Sequence, residues 1–176
     1  MDAVTALFAS AAVLLVIAGL VKVVRPTITA TLLDDLGVPT TGALDGTWLT
    51  RVLGGVEITV GLVALTTEIV VMAAVVGAMY LIFAGVVWRG MRVGAASCGC
   101  FGAIDTPPSW AHVAGNLGLA GSSLWALGGR SPLEVMENQP AGGLGFIVVV
   151  GVLAGVELIL FTAVPQAMTG RKPTQA

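Results

Sequence analysis

The chain has 176 residues, of which 56% are hydrophobic and only 10% are charged, and its net charge is -2. Its mean hydropathy of +0.97 is far above that of a soluble domain, so the composition indicates an integral membrane protein. No run of basic residues is present to bind phosphate, so we expect the lipid bilayer, and no nucleic acid, as a partner.

The hydropathy pattern predicts an all-α fold, a polytopic membrane bundle with a four-helix core and a fifth transmembrane helix. Each crossing needs about 20 apolar residues, so few other elements fit in the chain. We expect Pro26 to end the first span, a tight turn at Glu68 to join the second and third, and Ser109 to cap the fourth. A short apolar piece at 28–36 is expected along the membrane interface. The predicted spans, within one membrane domain of residues 1–176, are 4–24, 48–66, 69–88, 110–127 and 144–164.

Lys and Arg residues are distributed unevenly between the two ends of these five spans. Arg130 alone lies on the side of the N-terminus. Since basic residues favour the cytoplasmic side, we expect the N-terminus outside the cell membrane, and the loop before the fourth span and the C-terminus in the cytoplasm. The seven basic residues of the opposite side are Lys22, Arg25, Arg51, Arg89, Arg92, Arg171 and Lys172.

Cys98 and Cys100 are the only cysteines, and they flank Gly99 in the loop before the fourth span. A disulfide needs Cα atoms about 4.4 to 6.8 Å apart, and residues two apart in an extended chain lie near or beyond that limit. A bond between them would be strained and active in exchange. Arg89 and Arg92 on one flank would favour the thiolate.

Three interpretations of the cysteines stay open. We favour thiol–disulfide chemistry over two thiols that merely pack in a loop. Metal binding is the weakest of the three, because only Asp105 and His112 are nearby to complete a site and zinc normally takes four ligands.

Two carboxyl groups, Glu57 and Glu157, lie inside predicted spans and within similar strings of residues. A carboxyl group inside the membrane is costly and by default suggests a functional site. For Glu57 a structural bond to Lys22 or Arg51 is an equal alternative, and for Glu157 we favour a structural role. Both are expected in the half of the membrane nearer the cysteines. An inverted repeat would give the two carboxyls a shared site, but we favour chance similarity.

His112 and Asn116 lie one helical turn apart at the start of the fourth span. His112 is close enough in sequence to the cysteines to move protons near neutral pH. A hydrogen bond between helices is the alternative for both residues, and for Asn116 it is the favoured one.

The motif Ser-Cys-Gly-Cys-Phe-Gly at 97–102, followed by a helix carrying Asn116, resembles the MauE branch of the DoxX-like membrane proteins. Gly-Leu-Val-Lys at 19–22 and the segment 51–57 support this resemblance, which covers residues 4–127. It implies a redox-associated helical bundle in which Cys98 and Cys100 exchange electrons with a thioredoxin-like or other dithiol protein. DoxX relatives are linked to quinol oxidation, which implies a quinone as cofactor. The predicted cytoplasmic loop departs from an extracytoplasmic disulfide-forming role.

Three functional hypotheses follow. The first is a thiol–disulfide redox protein that uses Cys98 and Cys100, with Glu57, His112 and Asn116 in support, coupled to a quinone; the sequence itself fixes no cofactor. Whether such a protein is an enzyme is left open. The second is a non-catalytic subunit or assembly factor of a larger membrane complex. The third is transport of a small solute along Glu57 and Glu157.

Overall fold

The computed structural model describes residues 3–39, 45–67, 70–99 and 106–169, with side chains as far as residue 165. Within these ranges the chain is helical and contains no strand, which confirms the all-α prediction. Two 3-10 turns, Ala126–Gly128 and Pro140–Gly143, supplement the helices. The helices are α1 (Ala3–Val24), α2 (Pro26–Asp35), α3 (Gly46–Thr66), α4 (Val70–Val93), α5 (Trp110–Trp125), α6 (Pro132–Glu137) and α7 (Leu144–Thr169).

Four stretches of the described chain are long and apolar enough to cross a membrane. They correspond to the first, second, third and fifth predicted spans. α4 extends to Val93, beyond the predicted end, and α7 continues through Pro165. The four stretches are Ala3–Val24, Gly46–Thr66, Val70–Val93 and Pro140–Pro165.

The predicted fourth span is shorter than expected. α5 has 16 residues, and at 1.5 Å per residue it is about 24 Å long, less than the roughly 30 Å of a hydrocarbon core. The chain then tightens into the 3-10 turn Ala126–Gly128. Trp110 and Trp125, at the two ends of α5, are 64% and 79% exposed.

α2 is the short apolar piece between the first two spans, and it begins with Pro26, whose missing N–H suits a first helical position. Its buried side chains include Thr29, Ala30 and Leu32, and it packs mainly against α3. α2 therefore belongs to the bundle rather than to an isolated surface segment.

The long helices alternate in direction around α1. A Cβ on Gly19 would meet the Gly54 carbonyl, and one on Gly61 would meet that of Ala12, so α3 is antiparallel to α1. The Tyr80 hydroxyl donates to the Ala11 carbonyl at 2.7 Å, and Phe83 lies 5.7 Å from Lys22, so α4 is parallel to α1. The end of α1, the start of α3 and the end of α4 therefore share one end of the bundle.

α1 and α3 touch along their backbones. A Cβ placed on Gly19 would lie 2.5 Å from the Gly54 carbonyl oxygen, and one on Gly54 would lie 2.6 Å from the Gly19 carbonyl oxygen. Real Cβ atoms do not approach backbone so closely, and small residues are what allow this packing in membranes. The neighbouring Gly55 faces open space.

Because of this difference, Gly54→Ala and Gly55→Ala form a matched pair. We expect Gly54→Ala to separate the two helices and destabilise the protein by about 1–3 kcal/mol, the usual cost of overpacking. Gly55→Ala should be neutral or stabilise by up to about 1 kcal/mol through helix propensity. Thermal unfolding in detergent, followed by circular dichroism, measures both. Equal melting temperatures for the two variants would contradict the close contact.

Candidate functional site

Cys98 lies at the end of the bundle where α4 ends and α5 begins. Its side chain is only 2% exposed and packs with Ala84 and Val87 of α4 and Val113 of α5. The Cys98 N–H donates to the Thr106 carbonyl at 2.9 Å, which ties the two described ends of the loop together. Cys100 lies outside the described residues, so the predicted Cys98–Cys100 exchange stays a prediction.

Gly99 fixes the backbone next to Cys98 against α2. Its φ of +70° is in the region that favours glycine, and a Cβ there would lie 2.9 Å from the Leu32 side chain. The Gly99 carbonyl accepts a hydrogen bond from the Thr29 hydroxyl at 2.7 Å, and this bond is buried. The cysteine loop is therefore bonded to a helix 70 residues earlier in the chain.

His112 joins the loop to the first turn of α5. Its Nδ1 lies 2.9 Å from the Ser109 hydroxyl, and its Nε2 lies 3.3 Å from that of Thr106. Ser109 is the N-cap residue as predicted, but its side chain makes no capping bond to the backbone and pairs with His112 instead. Asn116 donates to the His112 carbonyl at 2.8 Å, a bond within one helix rather than between helices. His112 therefore connects to Cys98 through Thr106.

The two arginines expected beside the cysteines contact other groups. Arg89 donates to the Leu36 carbonyl at 3.4 Å, and the Arg92 guanidinium lies 4.8 Å from the centre of the Trp88 ring. Both arginines are exposed, whereas Cys98 is buried. These contacts do not test whether the two arginines favour the thiolate, so that effect stays a prediction.

Glu57 pairs with Lys22 across the α1–α3 contact. The Lys22 ammonium donates to Glu57 Oε2 at 2.9 Å, Glu57 is fully buried, and Lys22 is almost so. This is the structural alternative proposed for Glu57 from the sequence. Glu57 Oε1 is also buried and has no hydrogen-bond partner among the described residues. The pair is electrically balanced, but its hydrogen-bonding capacity is only partly used.

A cavity of about 140 Å³ lies between this ion pair and the cysteine loop. Its walls are mostly apolar side chains of α1, α2, α4 and α5, and Phe161 of α7 closes one side. Ile82, an exposed residue of α4, also lines it, so the cavity borders the lipid-facing surface. The residues of its lining that bring polar groups or sulfur are Lys22, Thr29, Tyr80, Cys98, Gly99 and Asn116, and the Tyr80 hydroxyl already donates to the Ala11 carbonyl.

Glu157 lies apart from this group. It accepts a hydrogen bond from the Ser10 hydroxyl at 2.8 Å and lines a second cavity of about 230 Å³ between α5 and α7. Ser10 precedes Lys22 by 12 residues of α1, which is about 18 Å along the axis. The prediction that both carboxyls lie in the half of the membrane nearer the cysteines is therefore wrong for Glu157.

In the described part of the chain, no three His, Cys, Asp or Glu side chains come together as metal ligands would. Asp105, the carboxylate considered beside His112, lies outside the described residues. Both ring nitrogens of His112 already face hydroxyl groups.

The roles of Thr29 and Thr106 were not predicted from the sequence. Neither was the position of Lys22 at the same cavity as Cys98. One feature of the sequence could have drawn attention to Thr29. It is a hydroxyl residue one helical turn before the apolar Leu32. Nothing in the sequence near Thr106 indicates that its carbonyl accepts from Cys98 and its hydroxyl faces His112.

Long apolar helices that alternate in direction, with Cys98 buried at one end, define a multi-pass helical membrane protein. The family model described as methylamine utilisation protein MauE matches residues 2–129. That match spans most of the chain, so the protein belongs to the MauE family, which is linked to methylamine utilisation. α6 and α7 lie beyond the matched region. No curated protein and no solved structure matches.

The bond between Thr29 and Gly99 predicts how tightly the cysteine loop is held. In a Cys100→Ser background, we expect Thr29→Val to remove about 1 kcal/mol from the closed loop. The reduced Cys98 should then react with N-ethylmaleimide about fivefold faster if reaction requires loop opening. Thr31→Val is the control, since Thr31 lies on α2 but bonds only within it. Equal alkylation rates for the two variants would contradict the role of Thr29.

Proposed function

We propose that this MauE-family protein is a membrane thiol–disulfide redox protein in which Cys98 and Cys100 pass electrons from a partner dithiol to a quinone in the bilayer. The observation that carries the proposal is the position of Cys98. It lies at the wall of an apolar cavity that also borders the lipid-facing surface. The cavity therefore gives a reactant from the membrane a place next to Cys98.

The proposed reaction has two steps. A thiolate of the partner attacks the Cys98–Cys100 disulfide, and a mixed disulfide with one cysteine forms. The second partner thiol then resolves it, so the partner is oxidised and the Cys98–Cys100 pair is reduced. In the second step the two thiols lose two electrons and two protons and reform the disulfide. The quinone gains the two electrons and the two protons and becomes a quinol.

We assign different tasks to the two cysteines from the burial of Cys98. Because Cys98 faces the cavity and is nearly inaccessible to solvent, the proposal gives Cys98 the step toward the quinone. Cys100 then receives the attack of the partner, for which a thioredoxin-like dithiol protein is the expected class. His112 and Asn116 support the site by holding the loop and the start of α5 in place.

Single cysteine variants test this division of tasks. Given the disulfide form of the partner, we expect Cys98→Ser to accumulate a mixed disulfide with the partner, because the Cys100 thiolate attacks the partner disulfide and the Cys98 thiol that would release the adduct is absent. Cys100→Ser should accumulate none, and both variants should stop oxidation of the partner. Diagonal non-reducing electrophoresis of membranes measures the adducts. If the double variant Cys98→Ser/Cys100→Ser supports full partner oxidation, the redox function fails and the subunit or assembly role replaces it.

The side of the membrane on which the loop lies is a separate part of the proposal. The alternating helix directions support the grouping of basic residues at the cysteine end, which favours the cytoplasmic side. We expect a membrane-impermeant maleimide to label the reduced cysteines only after the membrane is opened. Lys172→Cys in a Cys98→Ser/Cys100→Ser background is the control for the C-terminal side. Labelling of the loop in intact cells would place it outside and favour disulfide maturation there.

A further inference from the structure

Lys22 occupies an unusual position for a membrane lysine. Lysines near helix ends normally extend toward the headgroups, whereas Lys22 is 7% exposed and lines the cavity beside Cys98. The Lys22 ammonium lies 5.7 Å from the centre of the Phe83 ring of α4, which also lines the cavity. It is therefore placed at the boundary between Glu57 and the cavity.

The ammonium of Lys22 has more donors than its protein partners use. An ammonium carries three N–H groups, and among the described residues Glu57 is its one hydrogen-bond acceptor. Most of the cavity lining is apolar, so the remaining donors face a space that offers them little compensation. A ligand with a carbonyl oxygen would supply an acceptor for these remaining N–H donors.

The size of the cavity suits a single ring. An apolar cavity of about 150 Å³ accommodates benzene in another protein, and this cavity measures about 140 Å³. The apolar walls fit the faces of a ring, while Lys22 and Asn116 provide polar atoms for its oxygens. Because Ile82 is exposed, an isoprenoid tail has a direct route to the lipid.

We propose that the Lys22 ammonium, held in place by Glu57, binds a carbonyl oxygen of a quinone ring seated in the cavity beside Cys98. This inference deepens the proposed function and rests on it for the identity of the oxidant. As two electrons reach the quinone, negative charge develops on that oxygen, and the ammonium stabilises it. The two protons that complete the quinol come from the two thiols. Lys22 is a binding and polarising group, and Glu57 is its positioning residue.

The test must separate ligand binding from the structural role of the ion pair. Removing one partner of a buried pair leaves an unpaired charge, whereas replacing both is often tolerated. The double variant Lys22→Met/Glu57→Gln removes both charges and keeps the shape of Glu57 and most of the length of Lys22. Arg25→Met is the matched control, because Arg25 is the next basic residue and is exposed.

The measurement is binding of decylubiquinone to the full chain in nanodiscs, with decylbenzene as a probe that lacks the carbonyl oxygens. We expect the double variant to bind decylubiquinone at least about tenfold more weakly, the effect of losing a hydrogen bond to a charged group. Its binding of decylbenzene should not change, and Arg25→Met should match the wild type. Equal binding of decylubiquinone by all three proteins would overturn the inference.

A second measurement needs no variant at Lys22. An azido-quinone bound to the wild-type protein should, on illumination, label peptides of α1 and α4 around Lys22 and Phe83. Labelling confined to the Glu157 cavity between α5 and α7 would overturn the inference. Cys98→Ser/Cys100→Ser separates the two proposals. If that protein binds quinone through Lys22 but wild-type cysteines exchange with no dithiol, the proposed function fails and the binding site stands. Exchange with a dithiol but no quinone binding would overturn the inference together with the quinone step, and the thiol–disulfide step would stand.

Discussion

The ion pair between Lys22 and Glu57 depends on two helices whose backbones touch. Two charges in the membrane interior are tolerated only when they meet at hydrogen-bond distance, and here they are 2.9 Å apart. The glycines at positions 19 and 54 allow α1 and α3 to come this close. α2 starts only four residues after Lys22, so the same contact also determines where α2 lies. Through the Thr29–Gly99 bond, α2 in turn positions the loop that carries Cys98.

The fold could be predicted largely from local hydrophobicity, because a long apolar run must be a helix when it crosses lipid. The ends of the helices were harder to predict. Residues 126 and 127 are as apolar as the helix before them, so composition alone extends α5 past Trp125, where the chain tightens into a 3-10 turn. Lys22 was one of the two partners predicted for Glu57, because a buried carboxylate needs a cation and few cations are nearby. The partner of Glu157 is a neutral serine, which no charge rule identifies.

The candidate site, like the fold, could be predicted from the sequence only in part. Cys98, His112 and Asn116 are close in sequence, and their proximity in space follows from a short loop entering a helix. The cavity does not follow from sequence, because an internal space depends on the exact separation of several helices and on the rotamer of residues such as Phe161. Thr29 reaches the loop across 70 residues of chain, and only the tertiary structure brings those two segments together.

The short α5 has a consequence for the surrounding lipid. Trp110 and Trp125 are exposed at its two ends, and tryptophans prefer the headgroup level on each side of a bilayer. With only 16 residues between and including them, the hydrophobic height of this face is about 24 Å. In a bilayer of ordinary thickness, so short a face is matched by local thinning, by snorkelling of flanking side chains or by oligomerisation, each at a modest energetic cost per ångström of mismatch. The four longer helices need no such adjustment, so the mismatch is confined to the lipid-facing side of α5.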